Sequence, residues 1–141
     1  MEENKLMDVE IVTPQKIVYS GKAVSVTVPG TLGSFQVLYS HAPIVSSLDI
    51  GIVKVVDKAE KTIYFATTPG FSEVRNNKIS VLVETADEAS LIDKEEAQAE
   101  LKKLLDELGK AKSREEKDQI KKLCDIHANK LKAVEKLKSS E

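Results

Sequence analysis

The chain changes character near residue 87, and this change limits its possible architecture more than any single motif does. Residues 1–86 carry 17 of the 44 charged side chains, whereas the shorter stretch 87–141 carries 27. All four prolines and five of the six glycines lie in the first part. Glycine and proline separate short elements, whereas a charged segment without proline is typical of helices. We therefore predict two domains, residues 1–87 and residues 88–141.

Short β-branched segments between turn formers fill the first domain. They recur at intervals of about ten residues, which predicts short strands. Residues 57–60 and Asn76-Asn77 have the composition of hairpin turns. No connection has the length of a crossover helix, which parallel neighbours need. We therefore predict an N-terminal antiparallel β-sandwich of about ten short strands.

Two helices are predicted in the second domain. Asp93 and Ser113 each lie three residues before a glutamate, which is the spacing of a capping box. The first helix is expected to end at Gly109, because glycine readily adopts the left-handed conformation. The apolar positions recur at steps of three and four; they are Ala97, Leu101, Leu104, Leu105 and Leu108, then Ile120, Leu123, Cys124, His127, Leu131, Val134 and Leu137. The short link predicts an antiparallel two-helix hairpin that needs another surface to dock on.

Charge and cysteine content exclude several classes of function. A formal net charge of -2 gives no field that would gather nucleic acid or anionic lipid over a long range. The single cysteine, Cys124, cannot form an intrachain disulfide, so a cytosol-facing location fits best. The first residues are acidic and no sustained apolar stretch follows them, so we expect neither a secretory signal nor a transmembrane helix. We expect membrane contact only through a partner.

The residues capable of chemistry do not form a catalytic pattern. His41 has no carboxylate, cysteine or second histidine nearby in sequence, so we interpret it as a turn or interface residue. Cys124 and His127 could form a thiolate–imidazole pair, but both lie in the apolar stripe, which favours packing. Residues 29–33 contain glycines without the Gly-Lys-Ser/Thr ending of a phosphate loop. We predict no catalytic residue, no metal site and no cofactor.

A succession of short motifs resembles the epsilon subunit family of F-type ATP synthases. The motifs are Ser20-Gly21, Gly30-x-x-Gly33-x-Phe35, His41-Ala42-Pro43, Leu48-x-x-Gly51 and Gly70-Phe71, followed by the hairpin. The resemblance covers nearly the whole chain and implies a non-catalytic central-stalk subunit of a proton-translocating synthase. Such a rotor subunit couples rotation of the c-ring to the catalytic head through the gamma subunit. The implied location is peripheral, on the cytoplasmic face of a bacterial plasma membrane in preference to an organellar or thylakoid one.

The resemblance also assigns partner contacts to individual residues. The turn formed by Thr31, Leu32, Gly33 and Ser34 is implied to lie toward the c-ring. Thr13 and the segment with Tyr39, His41, Ala42 and Pro43 are implied to lie toward gamma. Many family members carry an acidic residue at the position of Leu32 or Ser34, so apolar or backbone contacts would replace a charged one here.

The hairpin is implied to have a regulatory role. In the family its helices either fold on the sandwich or extend into the catalytic head, where basic residues meet an acidic segment of the beta subunit and hinder ATP hydrolysis. We expect the lysines that make this contact to be among Lys121, Lys122, Lys130 and Lys132.

An ATP-binding motif of some bacterial members is degenerate in this chain. The pattern Ile/Leu-Asp-x-x-Arg-Ala corresponds to Ile92, Asp93, Glu96 and Ala97, with Glu96 in place of the arginine. A carboxylate repels phosphate where a guanidinium would pair with it. We therefore expect weak or no ATP binding.

Two other functions remain open on the residues alone. One is a β-sandwich adaptor whose helical arm serves another assembly, which composition and periodicity allow equally well. The other is a small enzyme that uses Cys124 with His127. The order among these alternatives rests on the resemblance.

Overall fold

The computed structural model describes residues 5–140. Nine strands precede a helical hairpin, and they are β1 (Met7–Val12), β2 (Ile17–Val28), β3 (Phe35–Leu38), β4 (Ile44–Leu48), β5 (Gly51–Asp57), β6 (Thr62–Thr67), β7 (Gly70–Arg75), β8 (Lys78–Val83) and β9 (Ala86–Glu88). A short 3-10 turn (Ala89–Leu91) then leads to α1 (Lys94–Lys110) and α2 (Arg114–Ser139). The β-sandwich followed by two helices is confirmed.

The long strand β2 belongs to both layers of the sandwich. Its first half pairs with β1 in the layer ordered β4-β7-β8-β1-β2. Its second half pairs with β5 and, on the other edge, with β3, in the layer that continues to β6 and β9. A register shift between Ala23 and Ser25 marks the place where β2 passes between layers, as irregularities do where strands bend.

The expectation of a purely antiparallel sandwich is wrong at one pair of strands. Strands β1 and β8 run parallel, with Val9 opposite Ile79 and Ile11 opposite Val81. No crossover helix is needed, because the connection from β1 to β8 passes through the six strands between them. Hydrophobic periodicity indicates which residues of a strand face the core, but it does not indicate whether the neighbouring strand runs parallel or antiparallel. The sequence therefore contained no indication that β1 and β8 are parallel.

Alternating residues of both layers form the main core. Met7, Val9 and Ile11 of β1 are almost fully buried, and so are Ile79 and Val81 of the parallel partner β8. The two predicted hairpin turns are present. Asp57 accepts hydrogen bonds from the backbone of Ala59 and Lys61 in the first. Asn76 and Asn77 both adopt positive φ in the second, as a two-residue turn of this kind requires.

Both predicted helix starts are confirmed, but the predicted end of α1 is wrong. The Asp93 and Ser113 side chains each accept a hydrogen bond of 3.1 Å from the backbone N–H three residues later. Gly109 lies inside α1, which ends when Ala111 becomes extended. The buried apolar stripes of α1 and α2 are also narrower than predicted, since Leu105 is 53% exposed and Leu123 is 46% exposed.

Candidate functional site

The turn at residues 31–34 connects β2 to β3 and lies beside the C-terminal end of β4. Thr31 is anchored to Ser47 by a backbone hydrogen bond of 3.0 Å and a hydroxyl pair 2.9 Å apart. Gly33 has a φ of 131°, a conformation that L side chains rarely adopt. Leu32 is fully exposed at the tip. A fixed turn therefore presents one isolated apolar side chain and main-chain groups, without a carboxylate.

The segment at residues 39–43 lies at the opposite end of β4 from that turn. Ser40 adopts a φ of 67° and its backbone N–H donates to Asn77 Oδ1 at 2.7 Å. The His41 ring is held by its own neighbour, with Nδ1 2.7 Å from the Ala42 carbonyl oxygen. Ala42 and Pro43 are exposed. The structure thus separates the two predicted contact segments by the length of β4.

Thr13 lies elsewhere and is nearly buried. It follows β1, its hydroxyl donates to the Lys16 carbonyl at 3.2 Å, and it is 7% exposed. Tyr39 and Thr13 lie near opposite ends of β8, because Ser40 is tied to Asn77 whereas Val12 pairs with Leu82. A partner that contacted both would span this sheet.

An exposed apolar row, which the sequence analysis did not find, crosses the outer face of the same sheet. Register places Phe71 of β7 beside Leu82 of β8, Leu82 beside Val12 of β1, and Val12 beside Ile17 of β2. Phe71 and Ile17 are each 58% exposed and Leu82 is 47% exposed. Val45 of β4 adds a 70% exposed side chain two residues away along the strand direction, since it pairs with Glu73 of β7. We call Ile17, Val45, Phe71 and Leu82 the apolar row; it covers five strands, about 19 Å across.

The hairpin lies folded on the other layer, and α2 makes the contact. Ala133 of α2 is completely buried and packs in a cluster with Ala66 of β6 and Ala89 of the 3-10 turn. Ile52, Tyr64, Ile92 and Leu137 pack around these three alanines. Since the side chains at the centre are small, the helix approaches the sheet closely while burying little apolar area.

Asn129 holds α2 at the adjoining ends of strands β5 and β6. Its side-chain amide donates to the Gly51 carbonyl at 2.8 Å and, more weakly, to the Thr67 carbonyl at 3.4 Å. Sequence reasoning missed both Asn129 and Ala133, because an apolar-stripe search ignores amides and gives alanine little weight. Their spacing of four residues, one helical turn, was the available indication.

The four lysines predicted to contact beta differ in their surroundings. Lys121 and Lys122 are exposed on α2. Lys130 is partly buried, with Nζ 3.9 Å from Asp87. Lys132 is exposed beside the sandwich. The folded hairpin therefore leaves Lys121, Lys122 and Lys132 exposed and holds Lys130 against the sandwich.

The degenerate ATP motif lines a cavity of about 330 Å³ beneath the hairpin. Ile92, Asp93, Glu96 and Ala97 all contribute to its wall. Asp87 and Glu88 bring the carboxylates to four, against only Lys16 and Lys130. Burial, then Asp57 and then Glu88 of this cleft raise the pKa of the Tyr19 hydroxyl above its ordinary value. This acidic cleft is poorly suited to a polyphosphate.

Cys124 and His127 both lie within α2. Cys124 is buried, and His127 lines the acidic cleft. The His127 Nδ1 atom is buried and has no hydrogen-bond partner among residues 5–140. Within the same residues, neither α1 nor α2 has an apolar stretch long enough to cross a bilayer.

Comparison with known proteins gives the class of protein that this fold and these surfaces define. Residues 6–89 match the family model for the β-sandwich domain of the ATP synthase delta/epsilon chain. The ATP synthase epsilon chain of Pelotomaculum thermopropionicum is 40% identical over 76% of this chain and 79% of that protein. The corresponding chain of Gloeothece citriformis is 39% identical over 80% and 83%.

The chain belongs to the ATP synthase epsilon chain family. Solved structures share its fold at low identity. A chain in the Euglena gracilis mitochondrial ATP synthase, OSCP/F1/c-ring, has a TM-score of 0.72 at 17% identity, with 96% of this chain and 81% of that chain covered. A chain in the Tetrahymena thermophila central stalk/c-ring has a TM-score of 0.57 at 19% identity, with 91% and 96% covered.

Proposed function

We propose that this chain is a non-catalytic rotor subunit of a proton-translocating F-type ATP synthase. In this role it binds the gamma subunit and the c-ring, and it passes c-ring rotation to the catalytic head through gamma. We place the subunit peripherally, on the cytoplasmic face of a bacterial plasma membrane, in line with the bacterial sources of some relatives, although others are chloroplastic. The role needs no cofactor, no nucleic acid and no direct insertion into the membrane.

The apolar row is the observation that carries the gamma assignment. Several large, exposed apolar side chains on one face of a sheet are typical of a partner interface. The row lies on the layer away from the hairpin, so a partner can cover it without displacing α2. Two predicted contacts would lie at opposite borders of this interface. One is the segment with Tyr39, His41, Ala42 and Pro43, and the other is the corner at Thr13.

Charge introduced into the apolar row is expected to abolish gamma binding. The double variant Val45→Glu/Phe71→Glu should weaken binding of purified gamma by about 100-fold or more, since two desolvated apolar contacts together carry about 3 kcal/mol. Isothermal titration calorimetry measures this affinity. Leu105→Glu is the matched control, because Leu105 is similarly exposed but lies on α1. Unchanged gamma affinity in the double variant would exclude this face as the interface.

The turn at residues 31–34 is the proposed contact with the c-ring. Its rigid anchoring to Ser47 suits a small contact that must keep its geometry under load. Leu32 replaces the missing carboxylate with apolar contact, and Thr31, Gly33 and Ser34 supply polar groups. The separation of this turn from residues 39–43 agrees with two different partners, one at each end of β4.

The hairpin is proposed to inhibit ATP hydrolysis when it leaves the sandwich. The docked form is held by the cluster of three alanines with the partly buried side chains around it, by the Asn129 amide and by a long Lys130–Asp87 ion pair. An interface this small permits a second arrangement at a similar free energy. Undocking would release Lys130 from Asp87, so that it could join the exposed Lys121, Lys122 and Lys132 against an acidic segment of beta.

Removal of the hairpin is expected to raise ATP hydrolysis by the assembled enzyme severalfold. A chain that ends after Ile92 retains every strand and the 3-10 turn, so it should still assemble. ATPase rates of complexes reconstituted with the full and the shortened chain give the comparison. If both complexes contain equal amounts of the subunit and hydrolyse ATP at the same rate, the hairpin has no inhibitory role.

A further inference from the structure

A second interdomain cleft, distinct from the acidic one, has the opposite charge. It is a half-open groove of about 450 Å³ between α2 and the outer face of the layer that contains β5 and β6. Lys54 of β5 and Lys132 and Lys136 of α2 line it, and its wall contains no carboxylate side chain. We call this the lysine cleft. Its charge cannot be neutralised by groups of its own wall.

The polar groups of the lysine cleft are unpartnered. Among residues 5–140, no carboxylate lies within 4.0 Å of the ammonium groups of Lys54, Lys132 or Lys136. The hydroxyls of Thr27, Ser34 and Tyr64 also line the cleft. These hydroxyls make no hydrogen bond within the same part of the chain.

Three ammonium groups around one concavity repel each other, and a multivalent anion would relieve the repulsion. Hydroxyl donors beside lysines match the acceptor oxygens of a phosphate group. We propose that the lysine cleft binds a phosphate-bearing anion. The site is separate from the degenerate ATP motif, whose cavity presents four carboxylates and would reject the same ligand.

The two walls of the lysine cleft belong to different domains. Thr27, Ser34, Lys54 and Tyr64 belong to the sandwich, whereas Lys132 and Lys136 belong to the hairpin. The complete site therefore exists only while the hairpin is docked. A ligand that binds one of two states shifts the population toward that state. A bound phosphate group would thus hold the hairpin on the sandwich and keep Lys132 from any other acidic partner.

The phosphate group could be free in solution or part of a lipid headgroup. Ser34 joins the lysine cleft to the turn at residues 31–34, and under the proposed function that turn faces the c-ring and hence the membrane. Only the proposal that the phosphate belongs to a lipid headgroup depends on the proposed function. The cleft itself is a property of the isolated chain.

The test is a titration of the isolated 15.5 kDa chain with sodium pyrophosphate, followed by amide NMR shifts and by the melting temperature. We expect saturable shifts at Lys54, Tyr64 and Lys132 and a higher melting temperature. The variant Lys132→Gln/Lys136→Gln should bind at least about tenfold more weakly. Lys102→Gln/Lys103→Gln removes the same charge from the exposed side of α1 and should bind like the unaltered chain.

A parallel arm uses vesicles of phosphatidylglycerol, with phosphatidylcholine vesicles for comparison. A pyrophosphate response that depends on Lys132 and Lys136 supports a free phosphate ligand. Binding to phosphatidylglycerol alone with the same dependence supports a lipid headgroup. Three outcomes would overturn the inference. They are the absence of both responses, an equal loss of affinity in the Lys102/Lys103 variant, and NMR shifts centred on the acidic cleft. The gamma-binding experiment is independent, so failure of one leaves the other standing.

Discussion

Replacing Gly70 by alanine is expected to lower the free energy of unfolding of the sandwich by about 3 kcal/mol. A Cβ atom at Gly70 would lie 2.0 Å from the Leu82 carbonyl oxygen and 2.9 Å from the Val83 Cα. Both contacts are backbone atoms of the neighbouring strand β8, so no side-chain rotation can relieve them. Strands β7 and β8 must separate locally, which strains the ladder beside the parallel pair of β8 with β1.

The matched control is Gly109→Ala, in which the same methyl group has the opposite effect. A Cβ at Gly109 meets nothing within 4 Å, and the residue lies inside α1. Alanine in a helix interior is more stable than glycine by roughly 0.5–1 kcal/mol. Urea denaturation of both variants measures the two changes. Equal stability of the Gly70→Ala variant and the unaltered chain would mean that β7 and β8 are not packed as described.

Ala133→Glu is expected to undock the hairpin while the sandwich stays folded. Ala133 is completely buried against Ala66 and Ala89, so a glutamate there would bury a charge without a partner. The penalty, about 3 kcal/mol or more, shifts the docking equilibrium roughly a hundredfold. The residues of the main core are unaffected because Ala133 belongs to a separate cluster.

Ala128→Glu makes the same change on the exposed side of the same helix and should leave docking intact. NMR signals of Ala66 and Ala89 report docking, and the radius of gyration from X-ray scattering should rise only in the Ala133 variant. Global unfolding of the Ala133 variant would instead show that the sandwich depends on its hairpin. Full retention of the docked signals would mean that α2 contacts the sheet through another face.

Local chemistry explains which parts of the fold were predictable. Asp93, Ser113 and the Asn76-Asn77 turn act through neighbours within three residues, so their roles can be predicted from sequence spacing alone. The end of α1 was not predictable from Gly109, because glycine permits the left-handed conformation without requiring it.

The surfaces proposed to bind partners were harder to predict for a geometric reason. Ile17, Phe71 and Leu82 are far apart in sequence, and only strand register brings them into one row. The same holds for Lys54 and Lys132, which meet only because α2 docks on β5 and β6. The resemblance to the family was enough to predict contacts for the turn at residues 31–34 and for the segment around His41, because the residues of each segment are contiguous along the chain.

The passage of β2 through both layers has a mechanical consequence. Two stacked sheets joined only by loops can slide over each other, because side-chain packing resists that motion weakly compared with a hydrogen-bonded ladder. Here a single backbone is paired with β1 in one layer and with β3 and β5 in the other. A sideways load on one layer is therefore carried into the second through β2 and its main-chain hydrogen bonds, and the two layers move as one body.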